Sequence, residues 1–211
     1  MKIMKAAEIK GRPRAFDLEK ALDQAMLVFW QKGYEGASLS DLTEAMGINR
    51  PSLYSAFGNK EELFRKALDR YRDGPSSYFL EALNLPKARA VAERLMKGAV
   101  DVLTDPRNPS GCLFVQGALT CGESANPIRR ELISRRSEGE AAIRRRLEQA
   151  RSDGDLPVDS DPADLALYIT TVVHGMSVQA ASGASRDELY RVVAIAMQAW
   201  PKSASARVRR A

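Results

Sequence analysis

The stretch SLSDLTEAMGINRPSLYSAFGNKEEL, Ser38 to Leu63, sets helix starts and stops so close together that it admits little besides short helices joined by tight turns. Ser38 stands three residues before Asp41, so its hydroxyl can cap a helix whose positive end the carboxylate favours. Leu39, Leu42 and Met46 share one helical face, and Gly47 suits a left-handed stop. After Ile48 alone, Asn49 can cap a second helix with Pro51 in its first turn, where a missing N–H costs little. Gly58 breaks that helix, Asn59 caps the next, and Glu62 occupies a capping-box position. Two helices across a three-residue turn containing glycine fit a helix-turn-helix.

The second of these helices turns Leu53 and Phe57 inward and leaves Arg50, Ser52, Tyr54 and Ser55 outside. Between Asn49 and Lys60 there are two basic residues and no acidic one, so this face has no carboxylate to repel phosphate. Arg50 and Ser52 reach base edges from the first turn, while the Tyr54 hydroxyl and the Lys60 ammonium suit phosphate oxygens. Lys60 also falls in the first turn of a helix whose free N–H groups favour anions. Ser38, Asn49 and Pro51 complete the expected DNA-binding set. An ordinary solvated helix corner has the same spacing, so the motif alone leaves that alternative open.

The whole segment GYEGASLSDLTEAMGINRPSLYSAFGNKEELFRKAL resembles the DNA-binding domain of the TetR/AcrR family of bacterial transcriptional repressors. The resemblance rests on Phe29 and Gly33-Tyr34 at the end of a first helix and on Leu42, Ala45 and Gly47 in the second. Leu53-Tyr54, Phe57 and Lys60-Glu61-Glu62-Leu63 complete it. It implies an all-α fold: an N-terminal three-helix helix-turn-helix domain followed by a C-terminal helical bundle for ligand binding and dimerisation. It also implies a basic arm before the first helix, a homodimer on double-stranded operator DNA, and release by a small effector.

At 211 residues the chain has room for a small reading head and a larger bundle. The expected division is an arm over 1–14, a DNA-binding domain over 15–60, an effector and dimerisation domain over 61–200, and a basic tail over 201–211. The net charge is only +5, but residues 1–14 and the last ten each carry an excess of four positive charges. The Gly-Arg-Pro-Arg element at 11–14 is extended and positive. Arg12 and Arg14 therefore either track phosphates or a narrow minor groove, or belong to a solvated tail. No run of about eighteen apolar residues marks a membrane span, and MKIMKAAEIKGRPR has no signal-peptide core, so cytoplasmic residence without membrane contact is expected.

Helical spacing predicts further helices over Asp17–Lys32, from Lys60 to a break at Gly74-Pro75, over Pro86–Asp105, Leu113–Gly122, Pro127–Ser152, Pro162–Ser182 and Arg186–Trp200. The arginines of residues 127–152 alternate with glutamates, as on a solvated face with i,i+4 pairing. The last two helices are apolar on more than one face and need more than one partner. The family resemblance makes them a dimer interface, with Val172, Val173, Met176, Val192, Ile195, Ala196 and Trp200 as its candidates; an entirely intramolecular core is the alternative. Candidates for the effector site are Tyr78, Phe79, Met96, Phe114, Gln116, Cys121, Tyr168, His174 and Met176, apolar with few polar anchors.

No enzyme is expected. The chain has one histidine and no Cys-x-x-Cys, nucleotide-binding glycine loop or zinc-ligand run, so neither cofactor nor metal is called for. Cys112 and Cys121 are the only cysteines; an intact helix would separate them by roughly 13 Å, too far for a disulfide. They are either buried and inert or the basis of a thiol- or metal-responsive sensor on the same scaffold, with His174 as a further ligand.

Overall fold

The computed structural model describes residues 16–119 and 126–201. All regular structure among them is helical: α1 Leu18–Gly36, α2 Leu39–Met46, α3 Arg50–Phe57, α4 Lys60–Asp73, α5 Tyr78–Leu83, α6 Ala88–Leu103, α7 Leu113–Leu119, α8 Asn126–Ser152, α9 Pro162–Ala181 and α10 Arg186–Gln198. The expected caps form. Ser38 with Asp41 and Asn59 with Glu62 make capping boxes, the Asn49 side chain accepts from the Ser52 N–H, and Gly47 is left-handed at φ 65°. Regular helix in α1 is broken at Gly33 (φ 69°, ψ 177°), one residue past the predicted end. α5 was not expected: six residues are too few for a periodic pattern, and Ser77 makes no side-chain cap.

Two apolar cores organise the chain. In the N-terminal one, α1 contributes Ala25, Met26, Phe29 and Trp30, α2 contributes Leu42, and α3 contributes Leu53 and Phe57. α4 adds Leu63, Phe64, Ala67, Leu68 and Tyr71, and the starts of α7 and α8 add Leu113, Ile128 and Leu132. α4 thus packs with the head. The larger core gathers α6 against α9 and α10 with the second half of α8, around Leu95, Met96, Val100, Ile143, Leu147, Ile169 and Trp200.

The arginines of α8 depart from the expected solvated face. The i,i+4 pairs Arg135–Glu131 (2.8 Å) and Arg144–Glu148 (3.5 Å) do form. Others fasten the helix to its neighbours: Arg135 reaches Asp69 of α4 at 2.7 Å, Arg136 donates to the Phe114 carbonyl at 2.9 Å, and Arg146 donates to the carbonyls of Leu83 and Leu85. Guanidinium forks suit this work because they satisfy carbonyls at helix ends as well as carboxylates.

α6 is capped from a distance. Lys87 offers no side-chain cap, and the Ala88 N–H donates instead to the Asp155 carboxylate at 2.6 Å, with Lys87 Nζ 3.2 Å from its other oxygen. Burial pushes the Asp155 pKa up, but the Ala88 N–H and Lys87 outweigh it and hold the carboxyl below its ordinary value. A depressed folded-state pKa contributes stability above the unfolded carboxylate value, and that contribution is lost as pH falls through the folded value. Asp155→Ala is expected to cost about 1 kcal/mol at neutral pH, the ordinary worth of a helix cap. In thermal denaturation the gap between variant and parent should narrow below about pH 4; a gap independent of pH would assign the loss to packing.

Candidate nucleic-acid interface and effector cavity

α3 sits on the head with one face fixed and the other free. Leu53 is fully buried and Phe57 nearly so, while Arg50, Pro51, Tyr54 and Ser55 are exposed and Ser52 is half-buried. Lys66 Nζ of α4 donates to the Phe57 carbonyl at 3.3 Å, and Arg50 Nη2 donates to Ser40 Oγ of α2 at 3.0 Å. The helix is thus held at both ends. Ser38 and Asn49 spend their side chains on caps, so their part is to set the helix directions.

Between α3 and α4, Gly58 has φ 80°, and a Cβ there would lie 1.9 Å from Glu62 Oε2. Only glycine leaves room for the Asn59–Glu62 capping box, which directs α4 and its first residue, Lys60. Lys60 Nζ lies 4.6 Å from the centroid of the Tyr34 ring, a cation–π contact that orients the ammonium at the edge of the head. Burial lowers its pKa, with Glu35 and Asp41 opposing. Asp41 itself is bound by Lys32 at 2.7 Å and by Ser38, which hold its carboxyl well below the usual range. Lys60→Ala should weaken all duplex sequences alike and reduce the slope of log affinity against log salt by about one. An unchanged slope would remove Lys60 from the phosphate contacts.

A cavity of about 300 Å³ opens behind the head, between the end of α4, α5, α6, α8 and α9. It brings together Tyr78, Phe79, Phe114 and His174 of the sequence candidates, with Leu80, Leu95, Ile143 and Ile169 as further apolar walls. Met96 and Met176 are instead buried in the larger core, the Tyr168 hydroxyl donates to the Ala196 carbonyl at 2.9 Å, and Gln116 donates to the Ser110 carbonyl; none of the four lines the cavity. Cys121, Arg12 and Arg14 lie outside the described residues. The Tyr78 ring lies so close to α6 that a Cβ on Gly98 would be 2.3 Å from it.

Sequence reasoning missed Arg72, Arg135, Arg136, Cys112 and Thr170 on the cavity wall. A signal for Arg136 was present: it interrupts the inward stripe of α8 that runs through Ile128, Leu132, Ile143 and Leu147. Cys112 receives the Tyr71 hydroxyl on Sγ at 3.5 Å, and its N–H donates to the buried Ser177 hydroxyl at 2.9 Å. Burial pushes its thiol pKa up, away from the thiolate that reacts or binds metal. His174 is half-buried with its pKa lowered, by burial first and then by Arg136, against Glu140.

The cavity touches the head through aromatic contacts. The Phe114 and Tyr71 rings meet edge-on at 5.2 Å, Tyr71 meets Trp30 edge-on at 4.7 Å, and Trp30 Nε1 donates to the Gly111 carbonyl at 2.9 Å. Displacement of Phe114 therefore bears on α4 through Tyr71 and, by way of Tyr71, on Trp30 of α1.

Part of the expected dimer face is covered within the chain itself. Met176, Ala196 and Trp200 are buried within the chain's own core, and Val173 lines the cavity. α6 packs on both α9 and α10 and so covers part of the surface that the family resemblance gave to a second copy. Val192 and Ile195 do stay exposed on α10, joined by Leu167 and Val178 on α9, and Val172 is half-buried. Among the described residues no cluster of three or more metal-ligating side chains exists, and no helix is long and apolar enough to cross a membrane.

A short second helix buried by Leu42, a third held at both ends with its polar side free, and a helical bundle behind them define a helix-turn-helix regulator. The chain belongs to the TetR family of bacterial regulatory proteins: residues 21–67 match the model described as "Bacterial regulatory proteins, tetR family", and residues 90–196 match the tetracyclin repressor-like C-terminal domain. It is 35% identical over 198 residues to the HTH-type transcriptional repressor ComR of Escherichia coli (strain K12), covering 92% of this chain and 93% of that one. The HTH-type transcriptional repressor BdcR of the same organism is 29% identical, covering 92% and 94%. A solved structure of the TetR family transcriptional regulator CifR, a cysteine mutant complexed with 26-bp double-strand operator DNA, matches with a TM-score of 0.86 at 45% identity, covering 90% of this chain and 100% of that one.

Proposed function

We propose that the protein is a homodimeric transcriptional repressor that binds a pseudo-palindromic operator through α3 and is released when a small effector enters the cavity. The observation that carries the reading is the exposed face of α3, with Arg50, Tyr54 and Ser55 and no carboxylate, on a helix locked to the head by Leu53 and Phe57. The operator complex of CifR, at 45% identity, supports it. Arg50 and Ser52 read bases, Tyr54 and Lys60 hold phosphate, and Arg12 and Arg14 extend the contact from the arm. The exposed Leu167, Val178, Val192 and Ile195 offer α9 and α10 to a second copy, and two-fold-related heads read half-sites one helical turn apart, about 34–36 Å.

The test is selection of bound genomic fragments by the purified protein, followed by rebinding across a salt series. A short inverted repeat supports the reading. A folded dimer that enriches no motif overturns it. A thiol-responsive sensor is the less supported alternative because burial raises the Cys112 pKa. Oxidant-driven release from DNA that vanishes in Cys112→Ser would restore it.

A further inference from the structure

We propose that the cavity takes a compact carboxylate with an apolar body, its anionic group paired with Arg136. This rests on the effector reading above and narrows the ligand to a chemical class.

Three arginines border the cavity and two are already committed. Arg72 pairs with Asp73 (2.7 Å) and Asp69 (3.2 Å), and Arg135 with Asp69 (2.7 Å) and Glu131 (2.8 Å). Arg136 forms no ion pair among the described residues; only its Nη1 is engaged, by the Phe114 carbonyl. Yet it projects from the inward stripe of α8, between Leu132 and Ile143, where a charge is costly to keep. A guanidinium half-withdrawn from water with donors to spare matches a planar carboxylate.

Two carboxylates, Glu138 and Glu140, also border the cavity. Glu140 accepts from Thr170 Oγ1 at 3.3 Å, and Glu138 is exposed and accepts from Ser134. The neighbouring His174 has its pKa lowered by burial first and then by Arg136, with Glu140 opposing. Phe79, Leu80, Leu95, Ile143 and Ile169 make up the apolar part of the wall, beside the polar Ser76 and Thr170. A volume of about 300 Å³ is at the small end for ligand sites and suits one ring on a short chain. An anion on Arg136 shares the guanidinium that holds the Phe114 carbonyl, and Phe114 rests on Tyr71, which rests on Trp30. Ligand capture thus reaches the head through contacts already in place.

The test compares phenylacetate, 3-phenylpropionate and 4-phenylbutyrate with the corresponding amides and amines, by calorimetry on the full chain and by anisotropy of a labelled operator. The best carboxylate should bind at least about tenfold tighter than its amide and amine, and Arg136→Gln should abolish that preference while the far-ultraviolet circular dichroism stays helical. Equal affinity across the three head groups, preference for the amine, or no binding by any member overturns the proposal. Should Arg136→Gln fail to fold, the head-group comparison on the parent chain decides alone. Release of operator by amides or amines but not carboxylates overturns the anion assignment and keeps the effector reading. Carboxylate binding without release supports the site and removes the effector reading.

Discussion

Trp30→Ala is expected to lower the unfolding free energy by about 3–5 kcal/mol, the usual loss for a large aromatic cut out of a packed core. The indole is 1% exposed, meets Tyr71 edge-on at 4.7 Å and donates to the Gly111 carbonyl at 2.9 Å. The substitution leaves a cavity, removes the aromatic contact and strands the carbonyl, three losses that share one location. Urea titration at fixed protein concentration measures it. A loss below about 1 kcal/mol would mean that the head and the loop before α7 do not meet as described. Trp30→Phe separates the contributions: the ring survives, the N–H does not, and a cost of about 1–3 kcal/mol is expected from the unpaired carbonyl.

Arg50→Ala carries the second large effect, a loss of about 1–3 kcal/mol on the operator at each half-site with little change on random duplex. Arg50 is exposed in the first turn of α3, and its one partner among the described residues is Ser40 Oγ at 3.0 Å, a neutral contact that DNA can replace. Because nothing in the head depends on that contact for burial, the thermal midpoint should barely move. Titration of labelled operator and scrambled duplex at one salt concentration separates the cases. Equal losses on both would place Arg50 on the backbone of the duplex, and a lowered midpoint would show that it serves α2 and α3 rather than DNA.

The reading head was legible because its signals are local. Caps at Ser38, Asn49 and Asn59, the stop at Gly47 and the break at Gly33 each depend on a few neighbouring residues, and each forms. The bundle was legible only as helices. Periodicity shows that a face is apolar but not what covers it, so Met176 and Trp200, expected as dimer contacts on the family resemblance, are buried in the chain's own larger core. The cavity was half legible for the same reason. Tyr78, Phe79, Phe114 and His174 converge as candidates, but Arg72 and Arg136 reach it from a helix end and a stripe that charge patterning alone assigns to solvent. α5, at six residues, is set by its packing on α6 and α8 rather than by any pattern of its own.

That α4 packs with the head limits how this protein can be recombined with others. A hybrid regulator spliced at residue 60 would separate Leu63, Phe64, Leu68 and Tyr71 from Phe29 and Trp30, the surfaces that bury them. Splicing after Asp73 keeps that helix with its partners but still uncovers what Leu113, Ile128 and Leu132 shield. A head moved to a new sensor would need matching apolar side chains at those three places, so operator choice and ligand choice are not freely interchangeable parts in this chain. Variation in one is constrained by a shared surface to be accompanied by variation in the other.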